Sequence, residues 1–331
     1  MRRRSLVATS LAFGAWPSWS RAQAKRRRLA IVHPVLPVDQ LTATGYISHR
    51  AFFDELKRLG LVEGEGLAVD RYSAEGRGER IDEIAREIVR KAPDVVFTTT
   101  TPVARAVHAA SKTIPIVAIT ADPVAMGLAT SLARPGGNVT GVSIDAGLEI
   151  LGKRIQLLRE LVPGIRRLAY LSRADSWDQP DGQFLRTFCA GLGIEPSPAP
   201  LNDPVNDASY RAAFEQVATS RADAVLVAAQ AENRANAETV IGHVARAGLP
   251  AVYDSRDFPE AGGLISYGID FQDVYRMIAR SVGQVLAGTR PADIPFLQPT
   301  KFELVVNLKA VRRLNIAITP AFLVRADEVI E

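Results

Sequence analysis

Residues 122–143 read DPVAMGLATSLARPGGNVTGVS, and the run just before them, 113–120, reads TIPIVAIT. The β-branched, apolar residues of 114–120 have strand character. Asp122-Pro123 then suits a helix start, with a capping carboxylate followed by a proline, so a helix is predicted over 124–133. Pro135-Gly136-Gly137 marks a turn, and 139–143 returns to strand. The unit is therefore β-α-β. The same alternation continues outward on both sides. Towards the N-terminus, strands at 28–33, 67–72 and 94–98 alternate with helices at 45–59, 79–91 and 102–112. Towards the C-terminus, the predicted order is helix 149–161, strand 167–172, helix 182–191 and a short strand near Ile194. Helix 209–220, strand 224–229, helix 232–247, strands 251–253 and 263–269, helix 274–286 and strand 302–308 follow, the last after a Pro-rich connection at 291–299. Repeated β-α-β units favour parallel sheets with helices on both faces.

The first 24 residues stand apart. Arg2, Arg3 and Arg4 precede a moderately apolar run to Trp19, and Ala22-Gln23-Ala24 has the small-x-small form of a signal peptidase site. This predicts an export signal cleaved after Ala24; the run is too short to span a bilayer. Arg3-Arg4-Ser5-Leu6-Val7 loosely resembles a twin-arginine signal, so the Sec and Tat routes both stay open. The predicted location is the periplasm. Charge follows the same division. The chain has 40 Lys+Arg against 36 Asp+Glu, and four of the arginines lie before Ala24, leaving 36 of each sign. A balanced chain lacks the surplus cations that a phosphate backbone needs, so no nucleic-acid partner is expected. The 307 residues that remain of 331 exceed one ordinary core and predict two lobes. The single Cys189 makes neither a disulfide nor a metal site, and it falls on the apolar face of a predicted helix.

Three further blocks carry a resemblance: AGGLISYGID at 261–270, LQPTKFELVVNL at 297–308 and RADEVIE at 325–331. With 113–120 and 122–143, and in the same order along the chain, they resemble the TrpX-like substrate-binding proteins of bacterial ABC importers, the ABC_sub_bind family. The resemblance implies an α/β protein of two doubly wound parallel-sheet lobes joined by a hinge, the type I periplasmic binding fold. It places 25–143 plus about 256–298 in the N-terminal lobe, and 144–255 plus about 299–331 in the C-terminal lobe. It further implies a periplasmic receptor that captures a small-molecule solute by cleft closure and delivers it to an ABC permease in the inner membrane. An amino acid, aromatic or otherwise, or another small carboxylate is the expected ligand, and a monomer the expected state. A ligand sensor without a transport partner would use the same cleft.

Ligands of open α/β sheets sit beyond the carboxyl ends of the strands, which selects the candidates. Thr98 to Thr101 end a strand just before Pro102, where helix N–H groups favour a carboxylate; Thr99, Thr100 and Thr101 are candidate ligand contacts, or one of them simply caps the helix. Ala121 and Asp122 follow the next strand. The small Ala121 allows close approach, and Asp122 either meets a ligand ammonium or caps its helix. Ser172, Gln230, Tyr253 and Asp254 lie at strand ends expected in the second lobe and Tyr267 at a further strand end, with core or hinge packing as the alternative for the tyrosines. Gly136 to Gly141 lacks the Gly-Lys-Ser/Thr ending of a phosphate loop. No G-x-S-x-G, Cys-His pairing or metal-ligand spacing is present, so no catalytic residue, metal or cofactor is expected.

Overall fold

The computed structural model describes residues 26–145, 147–300 and 302–331. The predicted export segment lies outside them. In chain order the first group of elements is β1 (Arg27–His33), α1 (Ile47–Arg58), β2 (Leu67–Ser73), α2 (Ile81–Lys91), β3 (Val95–Thr98), α3 (Thr101–Ala110), β4 (Ile116–Thr120) and β5 (Val139–Ser143). The chain then runs through α4 (Glu149–Leu161), β6 (Arg167–Arg173), α5 (Pro180–Gly191), β7 (Glu195–Leu201), α6 (Asp207–Thr219) and β8 (Ala224–Val227). Next come α7 (Ala231–Ala235), α8 (Ala237–Ala247), β9 (Ala251–Tyr253), α9 (Asp257–Glu260), β10 (Ile265–Ile269) and α10 (Phe271–Leu286). The last are β11 (Phe302–Asn307), α11 (Leu308–Arg313), α12 (Pro320–Val324) and β12 (Glu328–Ile330).

These strands form two sheets, ordered β2-β1-β3-β4-β5 and β12-β11-β10-β9-β8-β6-β7. The first is parallel throughout, and the second is parallel except between β10 and β11. That exception has a cause: β11 is entered by a crossing back from the first lobe rather than through a helical crossover from β10. In the first lobe, one sheet face packs on α1 and α10 through Leu29, Ile31, Phe52, Phe97, Ile278 and Val282. The other face packs on α2 and α3 through Val32, Ile84, Val103 and Val107. The second lobe buries Leu158, Leu185, Leu226 and Phe322 on one face and Tyr210, Phe214, Val240 and Tyr253 on the other. Cys189 sits in that core, where burial pushes its thiol up to about 11.

The expected alternation is present, with four corrections. Residues 256–269, expected with the first lobe, are carried by the second: β10 pairs with β9 and β11, and the chain crosses only after Ile269. Residues 124–133 form turns instead of a helix. Leu128 and Ala129 both donate to the Pro123 carbonyl, and Gly127 adopts φ +69°, which ends helical propagation. The predicted helix 232–247 is broken at Asn236 into α7 and α8. The short strand near Ile194 is the seven-residue β7 in spite of Pro196, Pro198 and Pro200. Because β7 is an edge strand, alternate residues need donate no N–H to a neighbour, and the prolines occupy those positions.

His49 lies inside the first-lobe core with both ring nitrogens unpartnered, against Tyr275 at 5.0 Å and Phe97 at 6.5 Å. Burial and the Arg71 charge lower its pKa to about 3. An unfolded histidine titrates near 6.5. Between those values the unfolded chain therefore binds more protons, so this contribution to stability is lost as pH falls below about 6.5, by at most about 1.4 kcal/mol per unit. Urea unfolding at pH 7 and pH 5 should show a smaller drop for His49→Phe than for the unaltered protein; equal drops would remove His49 as the cause.

Candidate ligand cleft between the lobes

The carboxyl ends of the strands in the two sheets face each other across a cleft, bridged by a hydrogen bond from the Tyr46 hydroxyl to Asp257 Oδ2 (2.6 Å). Within the cleft lies a cavity of about 210 Å³. Ala121, at the end of β4, and Ile144, at the first crossing, line one wall; Arg154, Asp181, Arg234 and Asp254 line the other, and Phe271 stands at the second crossing.

Each polar group is placed by a simple local device. Arg154 lies in the middle of α4 but on its buried face, only 3% exposed. Its Nε donates to the Tyr267 carbonyl (2.7 Å), while its Nη1 is buried with no partner. Asp254 follows β9 and is 2% exposed. Its Oδ2 accepts from Arg234 Nη1 (2.5 Å), and its Oδ1 is buried and unpartnered. The Arg234 guanidinium also lies 4.1 Å from the centre of the Phe271 ring, a cation–π contact. Burial works against the Arg234 charge, but Asp254 and Tyr46 outweigh it and hold the group protonated. Burial raises the Asp181 carboxyl, opposed by the Tyr170 hydroxyl and Arg154. Gly268 makes this packing possible: a Cβ there would stand 1.8 Å from the Asp254 carbonyl. Arg154 and Asp254, each with a buried hydrogen-bonding atom that has no partner, thus line the same cavity. Such atoms cost free energy when left unmatched.

The structure separates the sequence candidates. Ala121 and Asp254 line this cavity, and Thr99 lines a smaller one beside it. Thr99 Oγ1 donates to the Val32 carbonyl (3.2 Å). Thr101 Oγ1 bonds Thr120 Oγ1 (3.0 Å) and accepts from the Ala121 N–H. Thr100 stands at the N-cap of α3, but its buried hydroxyl makes no capping bond. Asp122 accepts from the Val124 and Ala125 N–H groups, as a turn cap does. Thr100, Thr101 and Asp122 thus line neither cavity, and the four remaining candidates also lie outside both. Ser172 donates to the Arg173 carbonyl. The Gln230 amide is used at both ends, by the Arg173 N–H and by Ser176 Oγ. Tyr253 stacks on Phe258 at 4.5 Å inside the core, and the Tyr267 ring stacks on Phe302 at 6.1 Å. For the two tyrosines the packing alternative accounts for the ring, and the polar atoms of Ser172 and Gln230 are hydrogen-bonded within the protein.

Sequence reasoning passed over Arg154, Asp181, Arg234 and Phe271. One signal was present: Arg154 falls on the apolar stripe of α4, between Leu151 and Ile155, where an arginine stays only if something pairs with it. Arg234 and Phe271 carry no such mark, because both belong to helices that follow strand ends, not to the strand ends themselves.

A family profile described as ABC transporter substrate binding protein matches residues 45–330. The chain belongs to that family. A tyrosine-binding protein of Clostridioides difficile (strain R20291) is 25% identical over 289 residues, covering 84% of this chain and 80% of that protein. A conserved domain protein of Vibrio cholerae has a solved structure that matches with a TM-score of 0.78 and 26% identity, over 92% of this chain and all of that one. An ABC domain from Streptococcus pneumonia, solved in complex with L-Trp, matches with a TM-score of 0.77 and 23% identity, again over 92% of this chain and all of that one. The two-lobed type I periplasmic binding fold is therefore established, and this is a substrate-binding protein, a binder of small ligands. Among the described residues no helix is long and apolar enough to cross a membrane, and no group of three or more His, Cys, Asp or Glu could hold a metal ion.

Proposed function

We propose that this protein is the periplasmic receptor of an ABC importer and that its solute is a zwitterion, an α-amino acid, held between the lobes. The observation that carries this reading is the pair of unused atoms in one cavity. Arg154 Nη1 suits a carboxylate and Asp254 Oδ1 suits an ammonium. Leu151, Ile269 and Phe271 supply an apolar remainder that fits an aliphatic or aromatic side chain. The tyrosine-binding relative supports the class of ligand. Closure follows from the same geometry: Ala121 is carried by the first lobe and Arg154 and Asp254 by the second, so a solute touching both stabilises the closed form. A permease that reads closure would then accept the loaded protein.

A thermal-shift screen over the amino acids, followed by calorimetry, tests the reading. A ligand at 100 times its dissociation constant stabilises by about 2.7 kcal/mol. Arg154→Met should retain the fold and weaken the best amino acid about 10- to 100-fold, because a charge-assisted hydrogen bond is worth about 1.5–3 kcal/mol. An unchanged affinity would place the carboxylate elsewhere, and no response to any amino acid would sink the ligand class.

A further inference from the structure

Beside the main cavity, and sharing Arg234 and Phe271 with it, lies a much smaller one of about 20 Å³. Its polar lining comes from His33 at the end of β1, Ser48 at the start of α1, Tyr46, Thr99 and Arg234. The hydrogen bonds already made in this wall determine what it can still offer. His33 Nδ1 accepts from the backbone N–H of Val35 (3.0 Å) and of Leu36 (2.8 Å). A ring nitrogen that accepts twice carries no proton, so the proton of the neutral imidazole is on Nε2. That N–H has no partner among the described residues, although His33 is only 5% exposed. The Ser48 hydroxyl is fully buried and also has no partner. Arg234 commits Nη1 to Asp254 and retains further N–H groups. The Thr99 and Tyr46 hydroxyls have already given their protons, to the Val32 carbonyl and to Asp257. The wall is therefore rich in free donors.

We propose that His33 Nε2–H, the Ser48 hydroxyl and Arg234 form a subsite for a single acceptor oxygen on the bound solute, distinct from the carboxylate and ammonium positions of the main cavity. The size fits: one oxygen-sized group needs about 10–15 Å³ of such space. The charge fits as well, since a guanidinium beside two neutral donors favours a carbonyl, phenol or carboxylate oxygen over an apolar tip. The subsite rests on the cleft being the solute site, because it opens beside that cavity. Its consequence is selectivity. A solute that brings no oxygen leaves the buried Ser48 hydroxyl and the neighbouring His33 and Arg234 N–H groups unmatched, and a polar site rejects such an analogue strongly.

Matched pairs test this by calorimetry on the full protein: L-tyrosine against L-phenylalanine, and L-glutamine against L-norleucine. At least one oxygen-bearing partner should bind about tenfold or more tightly than its apolar counterpart. Ser48→Ala removes a hydroxyl that holds nothing in the fold. His33→Asn keeps an acceptor for the Val35 and Leu36 N–H groups and withdraws the donor from the Nε2 position, because the shorter amide does not reach it. Each should close the gap by weakening only the oxygen-bearing member. Equal affinities within both pairs, or a gap that survives both variants, would overturn the subsite and leave the small cavity to a water. If none of the four amino acids binds, the amino-acid reading is what has failed, and formate decides the subsite separately. Formate should shift the His33 Nε2–H resonance in nitrogen-edited NMR, and less so in Ser48→Ala. A resonance indifferent to formate would then overturn the subsite.

Discussion

Replacing Arg234 by alanine is expected to cost about 3–5 kcal/mol of stability and to abolish solute binding, the stability figure being that for breaking a buried ion pair from one side. The reason lies in what remains. Asp254 is 2% exposed, and its nearest cation is Arg234, at 2.5 Å from Oδ2. Without the guanidinium, a carboxylate stays in a low-dielectric cleft with Oδ1 already unpartnered. The truncation also strips the Phe271 ring of its stacked cation and leaves a gap between the lobes. Removing both partners, as in Arg234→Met with Asp254→Leu, should recover most of the stability, because a buried pair and an apolar replacement of like volume are close in free energy. Binding should not return in the double variant. Urea unfolding and calorimetry on the two single variants and the double separate these effects. A loss below about 1 kcal/mol in Arg234→Ala would mean that water reaches Asp254 and screens it.

The second large effect is expected outside the cavity walls, at Gly141→Ala. Gly141 lies in β5 opposite Ala118 of β4 and has φ +145°, a conformation open to glycine alone. A Cβ there would stand 2.0 Å from the Ala118 carbonyl oxygen and 2.6 Å from its amide nitrogen. Both atoms are backbone in the middle of a sheet, so neither can move aside without breaking the ladder. The Gly141 carbonyl also accepts from the Leu297 N–H, which ties the returning chain to β5 next to the first crossing. A loss above about 4 kcal/mol, or failure of the protein to accumulate, is expected, in the range reserved for such backbone conflicts. Gly137→Ala makes the control. Nothing lies within 4 Å of its Cβ position, so a change within about 0.5 kcal/mol is expected. Similar denaturation midpoints for the two variants would refute the strain argument.

The sequence and the structure agree most where a signal is local. Strands β1, β3, β4 and β8 announce themselves as short apolar runs, and α2 and α4 as periodic stripes, because burial on one or both faces acts on each residue independently. Agreement weakens where a neighbour in space decides. Residues 124–133 have helical composition, but the chain must reach β5 beside β4, and Gly127 bends it into turns. The three alternating prolines of β7 argue against a strand until its place at the sheet edge is known. Residues 263–269 could be recognised as a strand, yet nothing in them says which sheet they join.

The cleft divides along the same line. Asp254 and Ala121 could be found from the rule of strand ends, a property of position along the chain. Arg154, Arg234 and Phe271 could not, because they reach the cleft from helices whose direction is set by packing. The amino-acid sequence alone thus carried the resemblance to the family, through the order of its motif blocks along the chain, and it fixed the α/β alternation and the strand ends that matter, since these follow from apolar periodicity and turn residues. Only the tertiary structure decided which charges meet. A buried guanidinium is tolerable only beside its carboxylate, and Arg234 and Asp254 are 20 residues apart in sequence but 2.5 Å apart in space.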